Sequence, residues 1–278
     1  MTRFVWLTIF ETIGCMAVGW LAAYYVVRWT KRGQRGRQKY VNGDALSFVG
    51  GALGIVLGLL LLFASQHYSD AREASREEAT SATALYDSLQ GFPEAQRAAA
   101  RHDVFCAVES LRTDDWVASQ VNDVTGSENT HAWMDRLRDD IDGLDQSTDA
   151  AGSLHYFVND SYISLSKARE IRLLLGLHQI PNIVWVVIAI STTVFTFLLA
   201  LHMGPRRRKT IAVLIATGLV MCTINVALTV LDYPYKGAVG QLNPTAMDAA
   251  SRALQDRYVN DDFSACPQLV TPVYESWD

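Results

Sequence analysis

The 278-residue chain is 50% hydrophobic and 19% charged, and its 24 Lys and Arg against 29 Asp and Glu give a formal net charge of -5. Such averages would suit a soluble protein, but they conceal segregation, because the apolar residues sit in four blocks and the charges lie between them. No repeat, low-complexity tract or nucleic-acid motif is present, so no nucleic-acid partner is expected, and the pattern predicts an all-α membrane protein.

The blocks run Phe4–Val27, about Leu46–Ala64, Ile180–Leu201 and Ile211–Leu231. Each is long enough, at about 1.5 Å of rise per residue, to cross a hydrocarbon core of about 30 Å. Backbone polar groups in lipid must be satisfied internally, so each block is read as a helix.

In the first block the basic cluster follows the apolar core and only Arg3 precedes it. That is the reverse of a cleaved signal, and a retained helix with an outward amino terminus is expected. Glu11 lies about two turns from its outer end. Two readings stand: a proton or cation site, or a carboxylate that snorkels to the interface or stays protonated.

The second block carries Gly50, Gly51, Gly54 and Gly58, and Gly50, Gly54 and Gly58 are spaced by four along one face. Such a ladder serves close helix packing, or forms a thin wall beside a pore. Neither Gly nor Pro interrupts the chain from Ser65 to Gly91. Ala71, Ala74, Ala79, Ala82 and Leu85 keep a helical period, which predicts one helix projecting from the membrane to Leu89. Pro93 then opens the next helix, over 93–111.

Thr113-Asp114-Asp115 reads as a cap for a separate helix starting at Trp116. A loop is expected at 123–129, then helices over 130–146 and 152–178. Together these form a middle domain at 65–179, large enough for its own core.

Within the fourth block Asn225 is central, with Thr223 and Thr229 near it, and interhelical hydrogen bonding is its expected use. Asp232-Tyr233-Pro234-Tyr235-Lys236-Gly237 reads as a helix exit, with Pro stopping the helix and Tyr at the interface. In the tail at 232–278 a helix is expected over 243–259, with Asn243 as its cap and Pro244 in the first turn.

Two short connections hold the bases: Arg28, Lys31, Arg32, Arg35, Arg37 and Lys39, then Arg206, Arg207, Arg208 and Lys209. Short basic loops stay cytoplasmic, which puts both termini and the acidic middle domain on the extracytoplasmic side of the cell membrane. Disulfides are permitted there, so Cys106 and Cys266 are expected to pair, tying the tail to the middle domain. Cys15 and Cys222 lie inside spans and read as small packing groups. The six histidines show no metal-ligand spacing, and no nucleophile or phosphate-loop motif appears. No cofactor, metal site or catalytic activity is expected.

Three segments carry a family resemblance: Tyr68, Ala71, Arg72, Arg76, Glu78, Ala79 and Leu85 on the projecting helix; Pro181-Asn182-Ile183-Val184-Trp185; and Asp232 through Gly237. Over about 45–250 the chain resembles the bestrophin-like proteins of unknown function (the DUF4239 family). The resemblance implies kinship with bestrophins, pentameric anion channels with a glycine-containing apolar pore helix. It implies a homo-oligomer, a pentamer, with the second span lining a pore and with ions and membrane lipids as partners. Two features differ from that kinship: bestrophins keep their large domain in the cytosol, and Tyr235 stands where Phe is expected. Two functions follow as expectations. One is an ion channel, anion-conducting by resemblance, with a cation or proton pathway as the variant that an acidic vestibule favours. The other is a non-conducting sensor or scaffold whose outward bundle binds a ligand or partner.

Overall fold

The computed structural model describes residues 2–30, 43–203, 208–236 and 240–270. Lys31, Arg32, Arg35, Arg37, Lys39, Arg206, Arg207 and Gly237 lie outside the described residues. Among the described residues every regular element is helical: α1 (Thr2–Thr30), α2 (Gly43–Ser88) with a 3-10 turn at Leu89–Gly91, α3 (Glu94–Gln120), α4 (Glu128–Asp142), α5 (Asp149–Leu174), α6 (Asn182–Met203), α7 (Arg208–Asp232) and α8 (Thr245–Arg257). Four stretches of the described residues are long and apolar enough to cross a membrane: Trp6–Trp29, Gly43–Gly91, Asn182–Met203 and Thr210–Asp232.

The chain divides into two compact units, one of residues 1–68 with 178–240, the other of 69–177 with 241–278. The tail therefore groups with the middle helices rather than standing alone.

In the first unit α1 packs on α6 and α7. Gly19 makes the α1–α6 approach close: a Cβ there would sit 2.5 Å from the Thr193 carbonyl oxygen. That is the small-residue contact by which helices meet in lipid. Around it Ala23, Val27, Ala200 and Leu201 are buried. A second cluster joins Leu53, Leu57 and Ala64 of α2 to Ile188 and Leu228. Outward faces carry exposed Phe10, Ile55, Ile190 and Leu219, as expected of helices whose solvent is lipid or a neighbouring subunit.

In the second unit the end of α2 packs with α3, α4, α5 and α8 around Leu85, Tyr86, Val104, Leu111, Trp133 and Leu137. Three local expectations change here. First, α3 runs unbroken through Thr113-Asp114-Asp115. Those side chains are engaged elsewhere: Thr113 donates back to the Glu109 carbonyl at 2.8 Å, and Asp115 is held by two arginines. A cap residue makes a cap only when its oxygen is left for the next turn's amides. Second, α5 starts at Asp149, earlier than the glycine at 152 suggested, because the Thr148 hydroxyl accepts from the Ala151 amide. Third, α8 has Pro244 at its cap position with no side-chain cap bond, so Asn243 does not cap it. Leaving α3, Asn122 takes a left-handed conformation (φ 62°), which Asn tolerates.

Candidate functional site

Within the second unit, Glu78 of α2 belongs to a buried ionic group spanning three helices. Arg172 of α5 donates through Nε to Glu78 Oε2 at 2.7 Å, through Nη2 to Asp115 Oδ2 at 2.7 Å and through Nη1 to Ser119 Oγ at 2.6 Å. One turn earlier, Arg169 grips Asp115 with Nε at 2.9 Å and Nη2 at 2.8 Å. The Ser127 amide adds a donor to Asp115 Oδ1 at 2.8 Å. Two carboxylates thus face two guanidiniums, which is the condition under which buried charge is tolerable.

The two carboxylates are shifted in opposite directions. Burial pushes Asp115 up, but the Arg169 and Arg172 charges and hydrogen bonds outweigh it, holding the carboxyl below the usual range. For Glu78 burial wins over the pull of Arg172, and the carboxyl is raised. Its Oε1 is buried without a partner. Gly126 makes room for the group: its φ is +77°, and a Cβ would lie 2.5 Å from Arg169 Nη2 and 2.7 Å from Asp115 Oδ1.

Of the other residues on this stretch of α2, Ala71 and Ala79 are buried while Arg72 is exposed. Sequence reading singled out Glu78 but missed Asp115, Arg169 and Arg172. The available signal was the pair of arginines three apart on α5, one face of a helix facing a lone acid.

In the first unit the remaining family segments converge. Asp232, at the end of α7, accepts the amides of Gln179 and Ile180 through Oδ1, both at 2.9 Å. His178 stacks on Tyr233 with ring centroids 5.7 Å apart. The Tyr68 hydroxyl donates to the Gly240 carbonyl at 2.7 Å. Pro181 therefore leads into α6 against the exit of α7, with Trp185 packed on the adjoining core and Pro234 buried. Burial lowers the Lys236 ammonium from its ordinary value, and its Nζ lies 5.9 Å from the Tyr233 ring centre.

The glycine ladder divides. A Cβ on Gly50 would meet Phe195 of α6 at 2.9 Å, whereas Gly51, Gly54 and Gly58 have nothing within 4 Å. Residues four apart rotate by about 40° around a helix, so a ladder that starts on α6 turns away from it within two steps.

Glu11 and Asn225 line one small cavity with Thr8, Thr12, Cys15 and Thr192, of about 10 Å³, between α1, α6 and α7. Asn225 Nδ2 donates to Thr12 Oγ1 at 3.0 Å, and Thr12 donates to the Thr8 carbonyl at 2.8 Å.

Cys106 and Cys266 are joined in a disulfide. His102 approaches it, with Nε2 3.8 Å from Cys106 Sγ. These three residues are close enough to suggest a metal cluster, but sulfurs bonded to each other offer no thiolate. Beside the disulfide opens a cavity of about 670 Å³. On its wall Arg112 bridges Glu109 at 2.6 Å and Asp248 at 3.2 Å.

Four apolar helices, a helical unit continued from the second of them and converging helix-exit segments define an all-α, multi-pass membrane protein. The Bestrophin-like domain matches residues 13–247, and the chain belongs to the bestrophin-like family. Its fold is similar to that of a bacterial bestrophin homologue from Klebsiella pneumoniae, solved in several single-substitution variants. One variant aligns with a TM-score of 0.67 at 15% identity, covering 90% of this chain and 98% of that one. Another aligns at 0.66 and 16% identity, covering 91% and 99%. A structure described as a membrane protein aligns at 0.64 and 15%, covering 88% and 98%. No curated protein sequence matches the chain.

Proposed function

We propose that the chain assembles as a homo-oligomer, a pentamer by resemblance, that conducts ions through a pore lined by α2. The observation that carries this reading is the open face of Gly51, Gly54 and Gly58, where an added Cβ would meet nothing within 4 Å. A helix face with so little side chain and nothing within reach of it is suited to an axis or to a neighbouring subunit. Anion conduction follows the bestrophin resemblance, and a cation or proton pathway is the variant that the acidic middle domain supports. The charge pattern of the basic loops favours a cell-membrane location with both termini and the second unit outside, and a disulfide suits that side.

The second reading, a non-conducting sensor or scaffold, draws on the 670 Å³ cavity, whose volume and mixture of aromatic and charged walls suit a small ligand. Reconstitution of the full chain into ion-loaded liposomes separates the two. The expected result is flux above empty liposomes, reduced by Gly54→Leu in protein that still elutes as the native oligomer. No flux in either ionic direction overturns the channel reading.

A further inference from the structure

The cavity between α1, α6 and α7 combines features that a helix contact alone does not need. The hydroxyl hydrogen of Thr12 is committed to the Thr8 carbonyl, at 2.8 Å. Towards Asn225, at 3.0 Å, Thr12 Oγ1 can therefore only accept. This fixes the amide orientation: Nδ2 faces Thr12, and Oδ1 is the atom left over. Asn225 is 6% exposed, and its Oδ1 is buried without a donor. Thr192, 2% exposed on α6, has its hydroxyl oxygen in the same condition. Both residues line the cavity, and Glu11 lines it too.

We infer that this cavity is a binding site for one small, dehydrated monovalent cation of the sodium class. Size comes first. At about 10 Å³ the cavity holds one water-sized particle, which admits a bare small cation and refuses a hydrated ion or a halide. Donor chemistry comes second: hydroxyls of Thr12 and Thr192, the Asn225 amide oxygen and the Glu11 carboxylate are hard oxygen ligands, the set that hard cations take. Charge comes third. Glu11, on an exposed position of α1, is the acidic residue on the cavity, and among the described residues no basic one lines it. A carboxylate within a membrane span is costly, and a cation in the cavity supplies the counter-charge that a water does not. The site draws nothing from α2, so it is independent of any pore along that helix and holds whether or not the chain conducts.

The test is equilibrium binding of ²²Na⁺ to full-length protein in detergent, with choline as the inert cation and chloride constant. Wild-type protein is expected to bind one Na⁺ per chain, with K⁺ and Cs⁺ competing progressively less well. Its melting temperature should rise with Na⁺ over choline. Thr192→Val and Glu11→Gln should each weaken binding at least about tenfold while matching wild type in choline for melting temperature and elution. No saturable binding by wild type, or binding that survives in both variants, overturns the inference; the first result leaves a structural water in the cavity, the second a cation bound elsewhere. Should both variants misfold in choline, Cys15→Ser, which keeps every oxygen ligand, must retain Na⁺ binding, and its loss equally overturns the inference.

Discussion

Arg172 reaches Glu78 at 2.7 Å with neither side chain exposed beyond 2%. Because Arg172 also serves Asp115, its removal strands the buried Glu78 and leaves Asp115 to Arg169 and the Ser127 amide. Arg172→Met is expected to destabilise the protein by about 3–5 kcal/mol. Arg172→Lys should recover part of that loss, since an ammonium replaces the charge but not the planar fork. Melting in detergent, followed by size-exclusion recovery, checks both.

The opposed shifts of the two acids predict opposed pH behaviour. Asp115 is depressed from an ordinary value of 3.8, so the stability it contributes is present above that value and is lost as pH falls through its lower folded value. Glu78 is raised from 4.5, so its contribution is present below that value and is lost as pH climbs through the folded one. Glu78→Gln does not titrate. The stability advantage of wild type over Glu78→Gln should therefore shrink as pH rises from about 4.5. An advantage that grows with pH would show that Glu78 is held ionised.

Two glycines at helix ends should respond in opposite senses to alanine. Gly126 has φ +77° and would place a Cβ against Arg169 and Asp115, so Gly126→Ala should cost more than about 1 kcal/mol. Gly143 has φ -78° and its Cβ would meet only ordinary contacts at 3.5 Å, so Gly143→Ala should stabilise by about 0.4–1 kcal/mol. Chemical-denaturation midpoints of the two variants give the comparison.

The Cys106–Cys266 bridge closes a sequence separation of 160 residues. Intact mass of native protein should be two protons below that of the reduced form. Cys106→Ser should lower stability by about 2–5 kcal/mol, and protease should reach the α8–tail segment first.

What the sequence made legible were features written in local pattern. α2 was readable as one helix because no Gly or Pro interrupts it after Ser65, and the four spans followed from apolar length. The ionic group was not readable, because Asp115 and Arg172 come from helices far apart in sequence and meet only through packing. Thr113-Asp114-Asp115 has cap composition, and only the presence of Arg169 and Arg172 decides that Asp115 turns inward instead. The spacing of Gly50, Gly54 and Gly58 was legible, but not that Gly50 meets Phe195 while the other two meet nothing, because each four-residue step overshoots the 3.6-residue turn.

Asp232 follows the amides it caps by 53 and 52 residues. At a synthesis rate of about 5–20 residues per second, that acceptor arrives several seconds after Gln179 and Ile180 have been made. The start of α6 is therefore provisional during translation and becomes definite when the last span is complete. A chain arrested or truncated before Asp232 would leave the amides of Gln179 and Ile180 without this acceptor, so the entry to the third span is completed only by the end of the fourth.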